Sequence, residues 1–145
     1  MGKIEKLTFT QTLEHEDHFR AVARIRSLDP VRVDEPEELG GEDTAPCPMD
    51  YLLTAVGGCL MSSLAMCLGK KRVDAPISMD ITGDVARDDD GLLRVQKIHV
   101  KIRVGARPED RRKVEGCYGI FKKYCIVSAS IARGIPLETE LVFEG

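Results

Sequence analysis

Apolar and polar residues alternate along six short segments of the chain, and this period of two predicts β-strands. The polar cluster at residues 14–17 predicts the first hairpin turn, and the acidic run ending in glycine at residues 88–91 predicts another. A one-residue slip in the alternation near Gln96 predicts a β-bulge. The predicted strands cover residues 4–11, 19–26, 31–33, 77–86, 95–104 and 137–143.

A long segment without charged side chains separates the third and fourth predicted strands. Residues 51–69 carry no charge, and their length is close to that of a membrane-crossing helix. Polar residues and two adjacent glycines keep the mean hydropathy of the segment modest, so we instead predict a central helix buried on all sides. The Gly57-Gly58 pair costs roughly 1 kcal/mol per glycine relative to alanine, which predicts that another group approaches the helix backbone there.

Two shorter helices are predicted near the carboxy terminus. Pro108 favours the first turn of one helix, and residues 125–132 form a second helix that ends before Gly134. The order βββ-α-ββ-αα-β predicts a single α+β domain over residues 1–145, with antiparallel pairing in the sheets. Because an uncharged helix is too apolar for a solvent-facing side in so small a domain, we also expect an obligate homodimer.

The composition excludes several classes of protein. Hydrophobic residues make up 43% and charged residues 31% of the chain, and the net charge is −3. This balance is ordinary for a soluble globular protein and predicts no nucleic-acid partner. The first residues are charged and lack the apolar segment of a secretory signal, so we expect a cytoplasmic protein without a membrane partner.

The cysteines and histidines do not form a metal-binding pattern. The spacings of the five cysteines include no Cys-x-x-Cys, and none of the three histidines lies within a few residues of a cysteine. His15 and His18 fall in the first predicted turn, and His99 lies on the polar face of a strand. We therefore expect neither a metal ion nor a cofactor.

Five cysteines without an export signal are not the pattern of a disulfide framework, so each is a core residue, a metal ligand or a redox thiol. Cys59 and Cys67 are eight residues apart on one predicted helix, about 12 Å along its axis, which exceeds the roughly 7 Å Cα limit of a disulfide. The same exclusion applies to Cys117 and Cys125 if their helix is continuous. We interpret Cys67 and Cys117 as core residues.

The surroundings of two cysteines favour reactivity. Cys59 follows two glycines, which leave room for a substrate or another group. Cys125 follows two lysines at the predicted amino end of a helix, where positive charge and the helix dipole favour a thiolate. A purely structural role stays open for both at this point, because cysteine is among the most buried residue types.

Three stretches of the chain resemble the OsmC/Ohr family. Residues 34–41 and 46–59 resemble its first motif, which ends at Cys59. Residues 125–131 resemble its second motif, Cys-x-Val-Ser, which begins at Cys125. The order of the predicted elements agrees with that family over essentially the whole chain.

The resemblance implies a thiol-dependent peroxidase. Members of the family reduce hydroperoxides, preferring organic ones, and are recycled by small or protein-bound dithiols, a lipoyl-type dithiol being one candidate. They are intertwined homodimers with two active sites at the subunit interface. By resemblance, Cys59 attacks the peroxide and Cys125 resolves the resulting sulfenic acid as a disulfide. The alternative is a small-ligand binding or thiol-carrier protein with little peroxidase turnover.

The sequence departs from the family at one position. In the best-studied branch, an Arg from the amino-terminal strands and a Glu near the start of the central helix hold the thiolate. Met49 stands where that Glu is expected, and the nearest acid, Asp50, points about 100° away on a helix. Arg20, Arg24 and Arg26 share a strand face, and Arg20 is the candidate because it lies nearest the hairpin. Asp50 and Arg20 complete the candidate site, which is closer to the OsmC-like branch.

An apolar pocket would select organic hydroperoxides over hydrogen peroxide, since each buried methylene contributes about 0.8 kcal/mol. Leu52, Val56 and Leu60 lie around Cys59 in the sequence. These three side chains are the expected lining of such a pocket.

Overall fold

The computed structural model describes residues 3–144 and contains two compact units. One unit ends at Tyr51 and the other begins at Leu52. Each unit carries one three-stranded sheet, and the longest helix, α1 (Pro48–Lys70), begins in the first unit and continues through the second. The chain has the predicted α+β composition.

The first unit is an antiparallel sheet with the strand order β1-β2-β3. Its strands are β1 (Thr12–Asp17), β2 (Arg20–Arg24) and β3 (Val31–Val33). Ala21 on the central strand pairs with both His15 and Val33. Val22 and Ala23 are the buried apolar residues of this sheet.

The first hairpin differs from the prediction. Residues 4–11, predicted as a strand, are exposed and lie outside the sheet, whereas residues 14–17, predicted as a turn, belong to β1. The chain reverses at His18, whose φ of 45° supplies the left-handed conformation of the turn. Every residue of β1 is exposed, so this strand has no buried face to impose an apolar alternation on its sequence.

The second unit contains the remaining strands and two short helices. These elements are β4 (Ile77–Arg87), β5 (Leu93–Val104), α2 (Arg111–Ile120), α3 (Ile126–Ile131) and β6 (Leu137–Phe143). A single-turn helix at Phe121–Tyr124 connects α2 to α3. In the hairpin of β4 and β5, Asp84 pairs with Lys97 and Val85 with Val95. Gln96 is therefore the extra residue, and the predicted bulge is confirmed.

The last strand pairs in the opposite sense to the prediction. β5 lies at the centre of the sheet, antiparallel to β4 and parallel to β6, with Val100 opposite Thr139. Parallel neighbours require a crossover connection of a dozen or more residues. The segment containing α2 and α3 provides that crossover, so the expectation of purely antiparallel sheets was wrong for β6.

One face of α1 and one face of β5 form the core of the second unit. The buried helix residues recur every four positions, at Val56, Leu60, Leu64 and Leu68. They pack in one apolar cluster with the alternate residues of β5, which include Ile98, Val100, Ile102 and Val104. This spacing places one stripe of the helix against the sheet.

The prediction that α1 is buried on all sides was wrong for the chain by itself. An opposite face of the helix is exposed and carries no charge between Asp50 and Lys70. The exposed residues of this face are Thr54, Ala55, Gly58, Ser62, Ala65, Met66 and Gly69. By length and composition α1 could cross a membrane, since the mean hydropathy of one 18-residue window is 1.8, which is higher than the modest value expected from the sequence. We interpret it as the central helix of the unit, because its other face forms the core.

Candidate active site

Cys59 lies in the middle of α1 and is half-buried. Its side chain packs against the apolar core of the second unit. The backbone N–H of Val127, in the first turn of α3, donates a hydrogen bond to its Sγ over 3.4 Å. The sulfur therefore faces a backbone donor while the residue keeps part of its surface exposed.

Cys125 occupies the position immediately before the first residue of α3, and it is 1% exposed. Burial raises the pKa of its thiol above the ordinary 9.0, and hydrogen bonding with the Cys59 side chain raises this pKa further. Hydrogen bonds with the side chain and backbone of Ser128 act in the opposite direction. The expectation that Lys122 and Lys123 favour a Cys125 thiolate was wrong, because both lysines are exposed and burial dominates.

The structure brings the two sequence-predicted cysteines together, and both are free. They differ in environment, since Cys59 is accessible and Cys125 is a buried neutral thiol. A thiolate is the form that attacks an oxidant. A buried neutral thiol is less exposed to the oxidant and can react afterwards with an oxidised neighbouring cysteine. The arrangement can therefore form a sulfenic acid at Cys59 and a disulfide between the two residues.

A second pair of cysteines departs from the prediction. Cys67 on α1 and Cys117 on α2 are joined by a disulfide, with a Cα–Cα distance of 5.8 Å. Both were expected to be core residues, and the five cysteines were not expected to form a disulfide framework. The sequence argument compared only cysteines eight residues apart on one helix, whereas this pair joins two different helices that are adjacent in the fold. Cys117 is fully buried, so its assignment to the core is confirmed.

The predicted close approach to the glycine pair occurs at Gly57. A Cβ atom at this position would lie 2.0 Å from Cδ1 of Ile81 on β4. At Gly58 a Cβ atom would meet no atom within 4 Å, among the residues that the structure describes. Gly57 thus allows the sheet to pack against α1 one turn before Leu60, and the group that approaches is a core side chain.

The expected apolar lining around Cys59 is only partly available. Val56 and Leu60 are fully buried in the core of the second unit, and side chains in that position cannot contact a substrate. Leu52 is partly buried and packs against the same core. Ile126, next to Cys125, is 73% exposed, and the sequence argument had not considered it.

Arg20 lies in the first unit, where it bonds to two carboxylates. Its Nε and Nη2 donate to the two Oδ atoms of Asp17 over 2.6 Å each, and Nη1 donates to Oε2 of Glu42 over 2.8 Å. The bidentate pair raises the pKa of Arg20 and lowers that of Asp17. Arg20 remains a predicted site residue, and its guanidinium already has carboxylate partners.

Asp50 lies in the first turn of α1, where its side chain accepts a backbone hydrogen bond. Its Oδ2 accepts a hydrogen bond from the backbone N–H of Cys47 over 2.9 Å. A carboxylate that reaches back to the residue preceding the helix satisfies one of the unpaired amide groups at the amino end. This contact gives Asp50 a structural role, and its catalytic role stays a prediction. Met49 beside it is half-buried.

Metal ligands are not clustered in the part of the chain that the structure describes. Within residues 3–144, no group of three or more His, Cys, Asp or Glu side chains is arranged to hold an ion. The side chain of His15 makes a local contact in the first hairpin, where its Nε2 lies 2.9 Å from the carbonyl oxygen of His18.

Comparisons with known proteins identify the same family as the motifs. The sequence model of the OsmC-like proteins matches residues 40–140, a stretch that includes both Cys59 and Cys125. A comparison with curated protein sequences gave no match.

Solved structures show the fold. An OsmC-like protein of Vibrio cholerae is 11% identical, with a TM-score of 0.82 over 94% of this chain and 100% of that one. An organic hydroperoxide resistance protein OsmC of Legionella pneumophila is 15% identical, with a TM-score of 0.72 over 97% and 100% of the two chains. The organic hydroperoxide resistance protein OhrB of Bacillus subtilis is 13% identical, with a TM-score of 0.68 over 92% of this chain and 98% of that one.

Proposed function

Because the chain belongs to the OsmC-like family, we propose that it is a thiol-dependent peroxidase that reduces organic hydroperoxides. The observation that carries the proposal is the neighbouring pair of free thiols, with Cys59 accessible and Cys125 buried beside it. The names of the Legionella and Bacillus proteins of the same fold, which refer to hydroperoxide resistance, support this choice of substrate.

In the first step, the Cys59 thiolate attacks the outer oxygen of the hydroperoxide. The O–O bond breaks, the alcohol leaves with a proton, and Cys59 becomes a sulfenic acid. The Val127 N–H that donates to Sγ is a fixed dipole directed at the sulfur, and such a donor needs no reorganisation when charge is present there.

In the second step, Cys125 attacks the Cys59 sulfenic acid. The S–S bond forms and water leaves, so the two electrons that reduced the peroxide come from the two thiols. Burial keeps Cys125 protonated at neutral pH, which prevents it from competing for peroxide. Its contact with Cys59 places it where a sulfenic acid forms, and this limits oxidation to higher states.

A dithiol completes the cycle by exchange with the Cys59–Cys125 disulfide. One thiolate of the reductant attacks the disulfide, and the second thiol displaces the protein to give an oxidised cyclic or intramolecular disulfide. A lipoyl-type dithiol is one candidate for this reductant, and the cytoplasmic location expected from the sequence is compatible with a pool of reduced thiols. Both remain predictions.

The exposed face of α1 supports the proposal of a homodimer. The face extends over four turns without a charge, from Thr54 to Gly69. Several of its residues, such as Gly58 and Ser62, are small. Uncharged helix faces of this length are covered in stable proteins, because exposed apolar surface favours association. A second copy of the chain that offers the same face would cover it symmetrically.

A count of free thiols tests the proposed reaction. The structure has three free cysteines, Cys47, Cys59 and Cys125. One equivalent of cumene hydroperoxide should leave one free thiol per chain, and that thiol should map to Cys47. Cys47→Ser is the matched control, since it should keep full peroxide consumption, whereas Cys59→Ser should lose it.

A second candidate function is that of a small-ligand binding or thiol-carrier protein with little peroxidase turnover, and one observation favours it. Met49 replaces the family Glu, and the guanidinium of Arg20 is paired with Asp17 and Glu42. A protein of that kind would keep all three free thiols after one equivalent of cumene hydroperoxide, and the thiol count therefore separates the two functions.

A further inference from the structure

Two cysteine pairs connect the same two segments of the second unit. Cys59 and Cys67 lie eight residues apart on α1, and Cys117 and Cys125 lie eight residues apart on the segment that contains α2. Cys59 is next to Cys125 and Cys67 is bonded to Cys117, so the two segments run in opposite directions. Two helical turns, about 12 Å, separate the pairs along α1.

The two sulfurs of the Cys67–Cys117 disulfide are unequally accessible. Cys117 is fully buried in the core, whereas Cys67 is half-buried and lines a cavity of about 240 Å³. A nucleophile can therefore approach the disulfide from the side of Cys67. The other residues that line the cavity are Ser63, Met66, Lys70, Ile120, Phe121 and Tyr124. Met66 also belongs to the α1 face that the proposed second copy would cover, so a reagent has to enter past the remaining lining residues.

The walls of this cavity indicate the chemistry of its occupant. Four of the lining side chains are aliphatic or aromatic, and a hydrocarbon chain would be removed from water against them. Lys70 is the one charged lining residue, and its ammonium group attracts anions. A small thiol with an apolar chain and a carboxylate satisfies both features, and its own thiolate is attracted by the same charge.

We propose that the Cys67–Cys117 disulfide is a second thiol–disulfide exchange site, which a small carboxylate-bearing thiol or dithiol enters through the cavity to attack Sγ of Cys67. The thiolate forms a mixed disulfide with Cys67, the S–S bond to Cys117 breaks, and Cys117 leaves as a thiolate that takes up a proton. With a dithiol, the second thiol displaces Cys67, so the protein disulfide is reduced by two electrons and the dithiol becomes a disulfide. This exchange requires no peroxide and is independent of the proposed reaction at Cys59.

The test uses two matched monothiols, 3-mercaptopropionate with a carboxylate and cysteamine with an ammonium group. A Cys47→Ser/Cys59→Ser/Cys125→Ser chain leaves Cys67–Cys117 as the only cysteine pair, and the adduct is located by peptide mass mapping. We expect the adduct on Cys67 and a free thiol on Cys117. If this variant does not fold, mapping of the wild-type protein distinguishes all five cysteines and answers the same question.

The charge of the cavity is tested by a ratio of rates. The exchange rate with 3-mercaptopropionate divided by that with cysteamine, at equal thiolate concentration, should fall at least about fivefold in Lys70→Glu. Lys101→Glu, a charge reversal on β5, should leave the ratio unchanged. An adduct on Cys117, exchange only after unfolding in urea, or an equal ratio in Lys70→Glu would overturn the proposal. The proposal would also be overturned if Cys67 and Cys117 remained free thiols after mild oxidation of the protein.

Discussion

The backbone N–H of Val127 donates a hydrogen bond to Sγ of Cys59 over 3.4 Å. Val127 lies two residues after Cys125, so this contact fixes the segment that carries the second thiol against α1. The bond comes from the backbone, and no substitution at residue 127 other than proline removes the donor. Cys59 and Cys125 are thus held together by the fold of α3 as well as by their own side chains.

Removal of Cys125 should leave the first oxidation intact and prevent its resolution. We expect Cys125→Ser to consume one equivalent of an organic hydroperoxide rapidly, and then one further equivalent for each step as Cys59 passes to sulfinic and sulfonic acid, because no second thiol condenses with the sulfenic acid. Cys59→Ser should consume none. Intact-mass and peptide mass spectra after successive equivalents of cumene hydroperoxide measure both outcomes.

Cys47→Ser is the control for this experiment, since Cys47 is free but belongs to the other compact unit. Its oxidation pattern should match that of the parent. Over-oxidation that maps to Cys67 or Cys117 in the Cys125→Ser protein would contradict the assignment of Cys59 as the attacking residue.

The rate of disulfide formation should depend on pH through Cys125. Burial and Cys59 hold the pKa of Cys125 above 9.0, and Ser128 lowers it again. Since the thiolate is the attacking form, resolution should accelerate as the pH rises from 7 to 10. In Ser128→Ala the pKa of Cys125 should rise further, and resolution at pH 8 should be slower than in the parent, because a smaller fraction of Cys125 is thiolate.

Stopped-flow measurement of the second oxidation phase tests this dependence. Ser130→Ala is the matched control, because Ser130 is on the same helix and its hydroxyl donates to the Ile126 carbonyl group. Its rate should equal that of the parent. A resolution rate that is independent of pH would show that Cys125 does not need to ionise.

The sequence predicted the elements whose patterns have a buried face. The Gln96 bulge could be predicted because the residues of β5 alternate between the core and the other face. The helix α3 could be predicted because Cys125 and Gly134 mark its two ends in the sequence. β1 was placed too early, since all of its residues are exposed and their order carries no apolar alternation. The parallel pairing of β6 depends on the crossover through α2 and α3, which no local pattern encodes.

The sequence identified the two cysteines of the candidate site and not the groups around them. Cys59 and Cys125 stand in recognisable motifs, whereas the Val127 donor is a backbone group and has no side-chain signal. Ser128 belongs to the second motif, but its effect on Cys125 requires the burial that only the fold supplies. The Cys67–Cys117 disulfide was missed because its partners lie on different helices, 50 residues apart.

The exposed face of α1 predicts association of two chains. We expect the protein to sediment at twice the 16.0 kDa chain mass at micromolar concentration. Ala65→Glu places a charge in the middle of that face and should shift the protein towards the monomer, because a buried unpaired charge is costly. Glu115→Lys, on the exposed side of α2, is the control and should not change the mass. A folded parent monomer at this concentration would contradict the proposed dimer.

Asp34 should make the first unit sensitive to acid. The carboxylate is 1% exposed and accepts hydrogen bonds from the Thr44 hydroxyl and backbone N–H over 2.6 and 3.0 Å. These bonds lower the pKa of Asp34 from 3.8 to about 2. Because the folded pKa is the lower one, the stabilisation is complete above 3.8 and is lost as the pH falls towards 2.

The comparison of Asp34→Asn with the parent tests this effect. The variant should be less stable in urea at pH 7, and the difference should shrink as the pH falls from about 4 to 2. Asp29→Asn changes an exposed carboxylate in the same unit and should differ little from the parent at any pH. A constant difference between Asp34→Asn and the parent down to pH 2 would mean that the Asp34 carboxylate is not the stabilising form.

The Cys67–Cys117 disulfide should contribute substantially to the stability of the second unit. It closes a loop with a sequence separation of 50 residues, and the loss of chain entropy in the unfolded state corresponds to roughly 4 kcal/mol. We expect Cys67→Ala/Cys117→Ala to lower the free energy of unfolding in urea by about this amount, with a further loss from the cavity at the fully buried Cys117. Cys47→Ala should change it by less than about 1 kcal/mol. If the double variant and the parent unfold at the same urea concentration under oxidising conditions, the cross-link is absent from the folded protein in solution.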